Sequence, residues 1–79
     1  MAVITSLSPT RRERALALHR TQVTGFYGVF ENDGRKFIQI DTLGSSDRQM
    51  PGKLSQTIQL DQTSAHQLWR LLGTHFDFK

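Results

Sequence analysis
Phe26-Tyr27-Gly28-Val29-Phe30-Glu31-Asn32-Asp33-Gly34-Arg35-Lys36-Phe37-Ile38-Gln39-Ile40-Asp41 decides how this chain folds. Asp33-Gly34 stands between two runs rich in aromatic and β-branched residues. Asp-Gly favours a type I′ two-residue turn, because both central positions need positive φ. Such a turn fixes the register of the two strands. Asn32 then faces Arg35, Glu31 faces Lys36, Phe30 faces Phe37 and Val29 faces Ile38. Further along, Gly28 faces Gln39, Tyr27 faces Ile40 and Phe26 faces Asp41. Opposed residues share a face, and faces alternate along a strand. One face of the hairpin therefore carries Tyr27, Val29, Ile38 and Ile40. The other carries Phe26, Phe30, Arg35, Phe37, Gln39 and Asp41.

Outward from the hairpin, Thr21-Gln22-Val23-Thr24 reads as a short first strand ended by Gly25. Leu43 to Gly52 reads as a long polar loop. Lys53 to Leu60 reads as the last strand, with Leu54, Ile58 and Leu60 on one parity and Lys53, Ser55, Thr57 and Gln59 on the other. Residues 61–73 predict a helix. Asp61 suits the N-cap, Ala65, Leu68, Trp69 and Leu72 fall on one helical face, and Gly73 suits the C′ position. The expected fold is α+β: a four-stranded antiparallel, curved sheet followed by one amphipathic C-terminal helix. That helix should cover the Tyr27–Val29–Ile38–Ile40 face, with Leu54, Ile58, Leu60, Leu68, Trp69 and Leu72 in the core. Phe76 and Phe78 either fold back onto the sheet or join a subunit interface.

The first 20 residues form a separate basic arm before a single domain over 21–79. They hold Arg11, Arg12, Arg14 and Arg20 against Glu13, and the other charges balance, so the whole net charge of +3 is N-terminal. Thr10 and Glu13 have capping-box spacing, which predicts a short helix near Ala15–Leu18. The arm either tracks phosphates or is a solvated terminus.

Length and composition narrow the classes. At 79 residues, 37% of them hydrophobic, the chain makes one small domain with a thin margin of stability. It has no cysteine, hence no disulfide or thiolate metal site. Self-association is the remaining common aid to a domain this small. No apolar run approaches a membrane span, and the N-terminal charge order is the reverse of a secretory signal. The expectation is a cytoplasmic protein, or one associated with a bacterial nucleoid.

Catalytic constellations are lacking. His19, His66 and His75 are scattered and without metal-ligand spacing. Asp33 and Asp47 suit a turn and a loop, and Asp41 completes no paired-carboxylate site with them. Ser45-Ser46-Asp47 has no base to activate a nucleophile, and Gly44-Ser45-Ser46 lacks phosphate-loop spacing. The reading is of a non-enzyme without cofactor, metal or small-molecule substrate.

One helix cannot cover both faces of a four-stranded sheet, so the phenylalanine face needs a purpose. Aromatics beside Arg and Lys on a sheet form a base-stacking platform for single strands. The alternatives are a second small core under the N-terminal helix, or a dimer interface. Arg35, Lys36 and Lys53, with Arg48 in the loop, are the candidate phosphate contacts on the domain. Phe30 and Phe37 are the candidate stackers, with Gln39 beside them, and Arg11, Arg12 and Arg14 add affinity from the arm. A competing reading is a small protein-interaction module, an inhibitor or regulatory subunit that docks a partner through the Phe face. The balanced charge of residues 21–79 favours it.

The stretch Thr21 to Leu72 resembles the positive-cofactor-four-like family of transcriptional coactivators that bind single-stranded DNA. The residues that carry the likeness are Thr21-Gln22-Val23, then Gly34-Arg35 leading into Phe37-Ile38-Gln39-Ile40-Asp41. Met50-Pro51-Gly52-Lys53 and Thr57-Ile58-Gln59-Leu60-Asp61 follow before the helix. The resemblance implies transcription regulation, single-strand binding of DNA or RNA across the β-ridges, and a homodimer paired through helices. It implies phosphate contacts at Arg35 and Lys53, with Lys36 nearby. The interface would fall on Leu68, Trp69 and Leu72, where Trp69 reads as a core residue, a dimer anchor, or both. Where the family uses aromatics, near the turn and in the long loop, this chain has Asn32 and Gly44.

Overall fold
The structure, a computed structural model, describes residues 1–11, 16–43 and 54–78. Four strands and one helix follow in chain order: β1 (Ala2–Ile4), β2 (Gly25–Asn32), β3 (Arg35–Leu43), β4 (Leu54–Leu60) and α1 (Gln62–Phe76). The expected hairpin is present residue for residue, from Gly25↔Thr42 to Asn32↔Arg35. Its turn has Asp33 at φ 53° and Gly34 at φ 74°. Both values lie in the left-handed region that L side chains avoid, which is what the two-residue connection requires. β3 continues into an antiparallel pair with β4, where Ile38 meets Leu60 and Ile40 meets Ile58.

The remaining strand is not where the sequence placed it. Thr21–Thr24 is irregular. The fourth strand is β1, from the segment read as an arm, and it runs parallel to β4 with Ala2↔Ile58 and Ile4↔Leu60. The sheet is therefore mixed, in the order β1-β4-β3-β2, rather than antiparallel throughout. It is also only weakly curved. Its register shifts at Thr42/Leu43, and the β2–β3 ladder is regular, so little bends it. The helix expected near Ala15–Leu18 falls partly outside the described residues, and Leu16–His19 is not helical.

α1 begins as its cap dictates. Asp61 accepts from the Ser64 N–H at 2.9 Å, and the Ser64 hydroxyl oxygen accepts from the Asp61 N–H at 3.1 Å. The two residues thus satisfy donors that a helix start otherwise leaves orphaned. The helix passes through Gly73 and ends three residues later than the spacing predicts. Asp77 takes the left-handed position at φ 58°, because a short polar side chain tolerates αL.

Ser64 also fastens β1. Its hydroxyl has one proton, and the 2.6 Å contact to the Ile4 carbonyl is the shortest use of it. The Leu7 N–H donates to Gln67 Oε1 at 2.8 Å. The N-terminal segment is thereby strapped along the helix as well as laddered to β4.

The helix does not cover the sheet face expected of it. Leu60 is the one hydrophobic side chain buried among the described residues. Tyr27 is 78% exposed, and Val29 and Ile58 also face solvent. Trp69 is 69% exposed and Leu72 is open too. α1 meets the sheet mainly at β3 and β4 and leaves the β2 half bare. Between helix and sheet lies a groove of about 590 Å³, bordered by Ile38, Leu60, Ala65 and Trp69.

Ser64→Ala is expected to cost about 1–3 kcal/mol in chemical denaturation, since the Asp61 N–H loses its acceptor and Ile4 its donor. Amide exchange over Ala2–Ile4 should accelerate in the same variant. Gly34→Val should cost about 1–2 kcal/mol, because a side chain at positive φ meets the following carbonyl.

Candidate nucleic-acid interface
Alternation along β2 and β3 puts Phe26, Gly28, Phe30, Arg35, Phe37, Gln39 and Asp41 on one face. β4 extends that face with Thr57 and Gln59, which pair with Asp41 and Gln39. The face has two unlike ends.

At the turn end, Phe30 and Phe37 stack with ring centroids 5.5 Å apart and planes 19° apart. The Arg35 guanidinium lies 5.2 Å from the Phe37 centroid, within reach of its negative π-face. Arg35 also approaches Asp61, at 3.7 Å, while its side chain stays 66% exposed. That ion pair adds little energy in water but limits where the guanidinium points. The product is an exposed cation above a two-ring stack.

At the other end the polar side chains are joined. Gln59 Nε2 donates to Gln39 Oε1 at 2.8 Å. Gln39 Nε2 donates to Asp41 Oδ1 at 3.0 Å, and the Thr57 hydroxyl donates to the same oxygen at 2.8 Å. The Asp41 carboxyl is thus held in position by donors from two strands. Gln39, expected to meet a ligand, spends one amide donor and its carbonyl within the sheet. Beside this ladder is a shallow trough of about 260 Å³, flanked by Phe26 and Phe30. Its floor is Gly28, where an added Cβ would meet nothing within 4 Å.

The structure brings Phe30, Arg35, Phe37 and Gln39 together. Lys36 shares the parity of Ile38 and so belongs to the opposite face. Arg11 is exposed in the N-terminal segment, and Arg12, Arg14, Arg48 and Lys53 lie outside the described residues. Leu68, Trp69 and Leu72 are all on α1, with Trp69 tilted against His66 at 5.4 Å. Sequence reasoning did not single out the carboxylate hub at Asp41 or the Gly28 trough. The signal for both was the hairpin register, which already set Asp41 beside Gln39 and left no side chain at position 28.

Among the described residues no group of three or more His, Asp or Glu side chains could hold a metal ion. No helix among them is long and apolar enough to cross a membrane. No protein-family model matches the chain, and neither a curated protein nor a solved structure matches it.

Asp61 carries the resolved electrostatic signature. The Ser64 N–H holds its carboxyl below the usual carboxylate range; burial opposes this, while the Ser64 hydroxyl, Arg35 and the Thr63 N–H assist it. A carboxyl more acidic when folded than unfolded stabilises the fold above the ordinary carboxylate range. It loses that contribution as pH falls through the folded value. Asp61→Asn keeps a capping acceptor and removes the charge. It should flatten the acid limb of thermal stability between about pH 5 and pH 2, followed by circular dichroism. An acid limb unchanged from the parent chain would assign that limb to other carboxylates.

Proposed function
We propose that this chain is a non-enzymatic nucleic-acid-binding module that prefers single strands and works as a homodimer. The observation that carries the reading is the Arg35–Phe37–Phe30 column, in which Arg35 and Phe30 are exposed and Phe37 is half-buried. Aromatic rings on a sheet offer any base a surface to stack on, and a guanidinium beside them can meet the adjoining phosphate. Arg35 is the phosphate contact of this face. Arg48, Lys53, Arg12 and Arg14 are further candidates from the sequence, with Arg11, and Lys36 serves a strand that wraps the hairpin edge. The open stripe of Trp69 and Leu72, with Leu68 beside it, supports pairing through the helices.

A second reading is favoured by the other end of the face. The Asp41 carboxyl is held in place across from Phe26 by Gln39 and Thr57, an acceptor that suits a basic group on a protein partner. In that reading the Phe face docks a protein, and the chain is an inhibitor or regulatory subunit.

Fluorescence-anisotropy titration of labelled single-stranded and duplex oligonucleotides at two salt concentrations separates the two. Single strands should bind tighter, with a log–log salt slope of about −0.7 per phosphate neutralised. Phe30→Ala with Phe37→Ala should weaken binding about 5- to 150-fold for each base unstacked, with the helix signal retained. No preference for single strands, or an affinity unmoved by the double substitution, would reject the stacking platform and leave the protein-docking reading.

A further inference from the structure
The sheet has two edges, and they differ. β1 exposes a three-residue edge, whereas β2 exposes eight residues, every one of them open to solvent. Natural edge strands are blunted by lysine, proline, bulges or a covering element. β2 has neither Lys nor Pro, its ladder with β3 carries no shift, and it presents Phe26, Tyr27, Val29 and Phe30. We propose that β2 pairs antiparallel with β2 of a second copy about a two-fold axis at Gly28, joining two sheets into one continuous sheet.

The register follows from hydrogen-bond parity. A two-residue hairpin closes on a hydrogen-bonded pair, here Asn32 with Arg35. Even-numbered residues of β2 therefore aim N–H and C=O at β3, and Gly25, Tyr27, Val29 and Glu31 aim theirs outward. Two copies can pair only odd residue with odd residue, so the axis passes through a residue. An axis at Val29 would set Phe26 against Asn32 and Tyr27 against Glu31. An axis at Gly28 sets Phe26 against Phe30 of the second copy and Tyr27 against Val29 of the second copy. No like charges are opposed.

In this register one face gains a row of Phe37 and Phe30 followed by Phe26 and Asp41 of the second copy. The other gains Ile38 and Val29 followed by Tyr27 and Ile40 of the second copy. The exposed side chains that no helix covers thereby cover each other. Gly28 meets itself at the axis as a non-hydrogen-bonded pair, with Cα atoms about 4.5 Å apart.

The chain has no cysteine, so single substitutions report on their own. Gly28→Cys, Val29→Cys and Glu31→Cys are made in the full chain, oxidised mildly and separated under non-reducing conditions. Gly28→Cys should form the covalent dimer as its main product. Glu31→Cys should stay monomeric, because its counterpart lies about 20 Å away in this register. A cross-link strongest at Val29→Cys would overturn the register. Yields at Gly28→Cys no higher than at Glu31→Cys would overturn the contact. Val29→Pro is the second test, since it removes an outward N–H and spares the ladder with β3. Light scattering should show its mass halved relative to the parent chain, whether or not the helices also pair; an unchanged mass, or a monomeric parent, rejects the proposal. The cross-linking pattern depends neither on oligonucleotide binding nor on the helix stripe.

Discussion
The exchange between Asp61 and Ser64 is the joint on which the rest of the structure depends. β4 ends at Leu60 and α1 starts at Gln62, so a single residue turns the chain from strand to helix. Asp61 does this by closing a reciprocal pair of hydrogen bonds with Ser64. The same Ser64 hydroxyl reaches the Ile4 carbonyl, so helix start and edge strand share one side chain that is wholly buried. Arg35 approaches Asp61 from the hairpin, which ties the direction of the exposed guanidinium to the same corner. The candidate site and the scaffold thus meet at one residue.

The hairpin was legible to the last pair because Asp33-Gly34 permits one connection, and that connection permits one register. The helix start was equally legible from Asp61. Its end was not, because Gly73 is tolerated inside a helix and Asp77 took the left-handed position instead. The first strand was misplaced for a different reason. A three-residue strand has no periodicity, and Ala2–Ile4 is recruited by a partner far along the chain. Thr21–Thr24, with two β-branched threonines and Val23, had the better local pattern but joins no ladder among the described residues. Alternation also assigned each side chain to a face correctly without saying whether that face would be covered. Tyr27 and Trp69 sit on the faces expected of them and remain open, because one short helix anchored at a corner cannot span the sheet.

The phenylalanine face is electrically divided. Its turn end carries an exposed positive group over stacked rings, whereas its far end carries a carboxylate fixed by Gln39 and Thr57. A polyanion crossing the face would be drawn to one end and resisted at the other. A ligand lying along the strands would therefore have a direction. The division arises from the strand itself, because Arg35 and Asp41 share a parity and sit at opposite ends of the β3 segment that pairs with the aromatic residues.

The parallel strand has a consequence for how the molecule assembles. The hairpin closes over two residues and can form early at small cost in chain entropy. β1 must find β4 across nearly the whole chain; Ile4 and Ser64 lie 60 positions apart. Closing so long a loop is slow and brings few contacts, because the strand is short. β1 is thus the last piece to dock and the first to leave. Until it docks, the outer side of β4 is an open edge of seven residues, and docking replaces its last three with the three-residue edge of β1.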